Sequence, residues 1–146
     1  MEIDYLRMDR LREYYKDDFW QWTEEPISLE DITEAIENNH PEEDEPYGDG
    51  VKYLPDYSKT NDYHIGRVIY YINHPEEIKE IMVDNLCVNG TIVPEPLIYD
   101  GNHRFMAACW LHKNRNFEKI ACVYGGLVDL LDYLTGESDK KPQELY

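Results

Sequence analysis

The chain has 146 residues, the length of one ordinary domain. Its 31 Asp and Glu against 14 Lys and Arg give a formal charge of -17, so direct nucleic-acid binding and attachment to an anionic membrane are not expected. No long apolar run is present, and the start MEIDYLRMDRLREYY carries no apolar leader, which predicts neither a membrane span nor a secretory signal.

In chain order, Ile3, Leu6, Leu11, Tyr14 or Tyr15, and Phe19 recur at spacings near three to five, which predicts an amphipathic helix within residues 3–22, broken by Pro26. Between Lys16 and Lys52 the chain holds 13 acids and no Lys or Arg. Such a block reads either as a solvated face or as a negative surface for a basic partner, or as a mimic of nucleic-acid phosphates. The interleaved rings Phe19, Trp20, Trp22, Tyr47, Tyr53 and Tyr57 favour the second reading, because large exposed rings are costly unless docked. Ser28 three residues before Asp31 resembles a capping arrangement, opening a short helix that ends near Asn38 or Asn39. HPEEDEPYGDG, residues 40–50, has two Pro, two Gly and no periodicity, and so predicts a loop, with irregular chain continuing to Asn61.

HIGRVIYYINH predicts a helix, since Ile65, Val68, Ile69 and Ile72 share a helical face. After Pro75, Ile78, Glu80 and Met82 alternate as in a half-buried strand, and Asn89-Gly90 marks a turn. Glu76, Glu77 and Glu80 read as solvent-facing rather than as a metal cluster. A short apolar strand, Leu97 to Tyr99, ends at Asp100-Gly101; a mostly buried helix follows over 102–113, then a strand at 120–124 and a closing helix, LVDLLDYL. The three cysteines, Cys87, Cys109 and Cys122, form no CxxC pair or zinc spacing, and read as reduced thiols of a cytoplasmic protein, two of them in the core. The expected class is α/β (α+β), a mixed sheet with helices. The expected organisation is an acidic, helical or irregular extension over residues 1–60, a core over 61–135 and a polar tail over 136–146.

The segment that carries chemistry is Leu97-Ile98-Tyr99-Asp100-Gly101-Asn102-His103-Arg104-Phe105. It puts a tight turn between a strand and a helix N-terminus, where the first N–H groups lack intrahelical acceptors and the dipole favours an anion. Gly101 permits a positive φ and a close approach to a ligand. Arg104 offers a bidentate grip on phosphate, and His103 donates or moves a proton. Asp100, at the strand end, suits Mg²⁺. The same residues also read as an ordinary Asp-Gly turn, with Asn102 capping the helix and Arg104 paired to Asp100 or Glu95. His64 reads as a second catalytic group or as a capping or core histidine.

PLIYDGNHRFMAACWL, with HIGRVIYYI upstream, resembles the ParB/sulfiredoxin superfamily, and within it the small ParB-like proteins of phages and bacteria; the resemblance spans about 60 residues. It implies a compact α/β fold that binds nucleotide phosphates (ATP, ADP or CTP, with Mg²⁺) at Gly101, Asn102, His103 and Arg104. Asp100 and His103 would then serve a nucleotide hydrolase or phosphotransferase. Asn102 stands where sulfiredoxins carry their catalytic Cys, so sulfinic-acid reduction is not expected. The acidic chain ends soon after Gly125, leaving no room for the helix-turn-helix of the partition proteins, so centromere binding is not expected either. A nuclease, a label some relatives carry, would need a metal to bring its substrate to this surface. The alternative is a non-enzymatic interaction protein, such as a phage-type inhibitor, that presents its acidic N-terminal surface to a basic partner.

Overall fold

A computed structural model describes residues 2–15, 25–44, 61–86 and 89–142. In chain order these form β1 (Asp4–Arg7), α1 (Met8–Leu11), a 3-10 turn (Arg12–Tyr14), α2 (Leu29–Glu37), α3 (Asn61–Asn73) and a second 3-10 turn (Pro75–Glu77). Then come β2 (Ile81–Leu86), β3 (Ile92–Asp100), α4 (Asn102–Asn114), β4 (Lys119–Tyr124) and α5 (Val128–Thr135). The four strands make one mixed sheet in the order β1-β4-β2-β3. The class is α+β.

β2 and β3 form an antiparallel hairpin around Gly90, whose φ of 86° the Asn-Gly turn requires. β4 returns parallel to β2, with Ile81 opposite Cys122, and β1 closes the far edge antiparallel to β4, with Leu6 opposite Ile120. The segment β3–α4–β4 is therefore not a crossover between neighbours: β2 lies between its two strands, and the parallel pair is β2 with β4.

α4 is the centre of the core. Every residue from Phe105 to Leu111 is buried, so the helix is apolar all round rather than amphipathic. Leu6, Met8, Leu11, Ile27, Leu29, Ile32, Val68, Ile72, Ile81, Val83, Ile120, Cys122, Leu130 and Leu134 belong to the same core. The N-terminal residues thus share one core with the rest of the chain. Cys109 and Cys122 are free and buried; Cys87 lies outside the described residues.

Three details differ from the expectation. Asp4–Arg7 is a strand, with Leu6 buried and Tyr5 exposed, because pairing with the open edge of β4 outweighs the helical spacing of Ile3, Leu6 and Leu11. In β2 the buried phase is Ile81, Val83 and Asn85, with Met82 46% exposed, so the alternation starts at Ile81 and not at Ile78. β3 runs from Ile92 rather than Leu97, despite Pro94 and Pro96, since an edge strand needs only half its N–H groups.

The helices expected after Ser28, over 64–74, over 102–113 and over 127–134 are present, as Leu29–Glu37, Asn61–Asn73, Asn102–Asn114 and Val128–Thr135. Ser28 and Asp31 form a reciprocal capping box, at 3.0 and 2.9 Å. Phe19, Trp20, Trp22, Tyr47, Tyr53, Tyr57 and the two ends of the acidic stretch, residues 17–24 and 45–51, lie outside the described residues. Among those described, no helix is long and apolar enough to cross a membrane.

Candidate functional site

The turn that ends β3 has Gly101 as the N-cap of α4, with φ 92° and ψ 31°. A Cβ there would lie 2.6 Å from Ile81 Cγ2 and 2.9 Å from Arg104 Nη2, so both the backbone conformation and the space demand glycine. No side chain caps the helix: Asn102 is the first helical residue, not the cap. The first-turn N–H groups of this thirteen-residue helix therefore have no capping side chain at its positive end.

Arg104 folds back over the turn. Its Nη1 donates to the Glu80 carbonyl at 2.8 Å, and its Nη2 approaches Asp100 Oδ2 at a long 3.4 Å. Asp100 is largely exposed. The Arg104–Asp100 pairing foreseen for an ordinary turn is thus present, but weak.

His103 points inward to α3, where His64 is buried. His64 Nδ1 and His103 Nε2 lie 2.9 Å apart, joined by one hydrogen bond in which one ring donates and the other accepts. The rings stack at 5.2 Å with an interplanar angle of 20°, and Tyr63 sets its edge against both. Burial above all, then His64, Arg67 and Arg104, pushes the His103 pKa down to about 3, so the ring is neutral at pH 7. A neutral histidine pair can accept a proton at one ring and release one at the other.

Behind the pair lies Arg67, one helical turn from His64 and only 4% exposed. Its guanidinium donates to the Glu43 carbonyl and the Tyr71 hydroxyl, both at 2.8 Å, and lies over the Tyr70 and Tyr71 rings. Among the described residues no carboxylate lies within ion-pair distance of it. The spacing His64, Arg67, Tyr71 on one helical face is the signal that finds this residue, and an expectation built on apolar positions passes over it. Residues 41–44 cross α3 at Gly66, whose carbonyl accepts from Glu43 N at 2.9 Å, and a Cβ at Gly66 would meet the Glu43 Cβ at 2.9 Å.

His40, Pro41, Glu42, Glu43, Asp62 and Tyr63 line an open cavity of about 490 Å³, and Tyr63 also packs against the histidine pair. A cleft of about 510 Å³ at the other end of α4 is lined by Arg7, Asp9, His112, Glu118, Lys119, Thr135 and Gly136, with the Arg7–Asp9 pair closed at 2.7 Å.

No family model, no curated protein and no solved structure matches the chain.

The structure thus brings Gly101, Asn102, His103, Arg104 and Asp100 to one turn, and adds His64 and Arg67 from α3. As a set they offer N–H donors, two guanidinium groups and a hydrogen-bonded histidine pair, with Asp100 the one carboxylate in the turn itself.

Proposed function

We propose that the chain binds the phosphates of a nucleotide at the α4 N-terminus and acts on them as a nucleotide hydrolase or phosphotransferase. The observation that carries the reading is the uncapped start of α4 behind left-handed Gly101, backed by a buried His103 held neutral. Phosphate oxygens accept from the first-turn N–H groups of α4, and Arg104 exchanges its long contact with Asp100 for a charge-assisted grip. Released, Asp100 is a single hard carboxylate, which suits Mg²⁺ whose other ligands are phosphate oxygens and water. His103 transfers the proton, with His64 as its relay. The acceptor-rich cavity beside Tyr63 suits amino and hydroxyl groups of the base and ribose.

Thermal unfolding with ATP, ADP, CTP and GTP, each with and without Mg²⁺, tests this. Ligand at about a hundred times Kd adds roughly 2.7 kcal/mol, an upward shift of several degrees. Arg104→Ala should lose the shift, and Asp100→Ala its Mg²⁺ dependence. No shift with any nucleotide refutes the reading.

A second reading has its own observation. α2 exposes Glu30, Asp31, Glu34 and Glu37, and among the described residues no Lys or Arg pairs with them. That face suits a basic protein partner, as an inhibitor or a nucleic-acid mimic would. Binding of such a partner should weaken steeply with salt, and salt-independent affinity counts against it.

A further inference from the structure

Away from the turn, the junction between α3 and β2 carries a different donor set. His74 follows the last residue of α3 and opens the Pro75–Glu77 turn, which brings Glu76 and Glu77 back towards its ring. His74 Nδ1 stands 3.7 Å from Glu76 Oε1 and 4.0 Å from Glu77 Oε2. One donor atom from each of the three residues falls within 4.8 Å of the others. Ligands at about 2.0–2.2 Å from one ion stand roughly 3–4.4 Å from each other, and the two separations from Nδ1 fall in that range.

The ring is also oriented for the task. Glu42 Oε1 lies 3.3 Å from Nε2, on the opposite side of the imidazole, and Asn73 Nδ2 holds that carboxylate by donating to Oε2 at 2.9 Å. A carboxylate on Nε2 keeps its proton there and turns the Nδ1 lone pair towards Glu76 and Glu77, the arrangement by which an outer carboxylate makes histidine a better ligand. Tyr70 packs its ring 4.5 Å from His74 and donates its hydroxyl to Glu77 Oε2 at 2.7 Å, fixing the second ligand. At 3.7 and 4.0 Å neither carboxylate hydrogen-bonds Nδ1. The imidazole nitrogen and the two carboxylates therefore stand together with no hydrogen bond joining them, the Tyr70 hydroxyl on Glu77 Oε2 apart, and Pro75 stiffens the turn that holds them there. The Arg67 guanidinium lies over the Tyr70 ring, and its hydrogen bonds go to Glu43 and Tyr71.

We infer that His74 Nδ1, Glu76 and Glu77 bind a divalent transition-metal ion of the zinc class, with solvent completing its coordination. One imidazole with two carboxylates selects such an ion over Mg²⁺, which takes oxygen ligands. The inference is independent of the phosphate reading, since none of these residues lies in the Asp100–Arg104 turn.

The test is calorimetric titration of Zn²⁺, and of Mg²⁺ for comparison, into the chelator-treated full chain. The wild type should bind one Zn²⁺, with Mg²⁺ at least tenfold weaker. His74→Ala, and separately Glu76→Gln with Glu77→Gln, should each weaken Zn²⁺ at least tenfold. Asp100→Asn should leave it unchanged. His74 is 37% exposed, so its replacement should keep the fold, which far-UV circular dichroism checks. As a second readout, the ¹⁵N resonance of His74 Nδ1 should move on Zn²⁺ addition in the wild type. Absence of a saturable site, equal affinity in His74→Ala, an unmoved Nδ1 resonance, or loss of binding in Asp100→Asn overturns the inference.

Discussion

Gly101 is the residue on which the candidate site depends most directly. An L-residue at its φ of 92° adopts the left-handed region, and its Cβ meets Ile81 Cγ2 at 2.6 Å. Conformational strain and overpacking together put Gly101→Ala at about 2–4 kcal/mol of lost stability. Urea unfolding measures it, and a loss below about 1 kcal/mol would mean that the turn relaxes freely. His103 makes a prediction in pH. Its folded pKa of about 3 lies below its ordinary 6.5, so between those values the unfolded chain binds the extra proton. Stability from this group is complete above pH 6.5 and is lost as pH falls towards 3. His103→Asn should therefore flatten the decline in unfolding free energy between pH 6.5 and 4 relative to wild type. Parallel curves would show that the ring is not held neutral. Much of this was legible in advance, because Asp-Gly followed by Asn-His-Arg before an apolar run specifies a turn and a helix start. His64 was readable as a second catalytic group or as a capping or core histidine, but its pairing with His103 was not. His64 lies 39 residues away, and only the packing of α3 against α4 brings them together.

Among elements, the helices were the most legible and the strands the least. α2 is marked by Ser28 and Asp31, α3 and α5 by apolar spacing, and all three are where those signals put them. Ser28→Ala removes the bond from Asp31 N–H to Ser28 Oγ, leaving the Ser28 N–H to Asp31 carboxylate half of the capping box, and should cost about 1 kcal/mol, read from the urea midpoint. A change within a few tenths would mean that water replaces the cap without loss. β1 and the first half of β3 carry little local signal. Both are edge strands fixed by pairing on one side only: Leu6 with the distant Ile120, and Ile92 with Leu86 across the hairpin. Prolines at 94 and 96 argue against a strand in isolation, and are tolerated where one side of the strand needs no donors. The tail after α5 is likewise held by distant chemistry. Arg10 donates to the Tyr133 and Ser138 carbonyls and pairs with Asp139, so residues 138–139 pack against the N-terminal turn rather than fraying.

The whole molecule folds under a charge of -17, and its described surface shows how that charge is handled. Several cations are committed to internal tasks: Arg67 to Glu43 and Tyr71, Arg104 to the Glu80 carbonyl, Arg10 to the end of α5. Each neutralises little of the acidic exterior, and the exposed face of α2 has no basic neighbour among the described residues. Repulsion between such charges acts over about 10 Å at 0.1 M salt and is screened above that. Added salt should therefore stabilise the chain, in contrast to a protein held by surface ion pairs. Raising NaCl from 20 to 300 mM should raise the midpoint of thermal unfolding by about 3 °C or more, which corresponds to roughly 1 kcal/mol for a domain of this size. Sodium chloride is a weak Hofmeister salt at these concentrations, so a rise of that size reports screening rather than strengthened apolar burial. A midpoint that stays flat or falls would mean that the acids are matched by cations brought close in the fold. The acidic block would then be an internal partner of the chain, not a surface offered to a basic one.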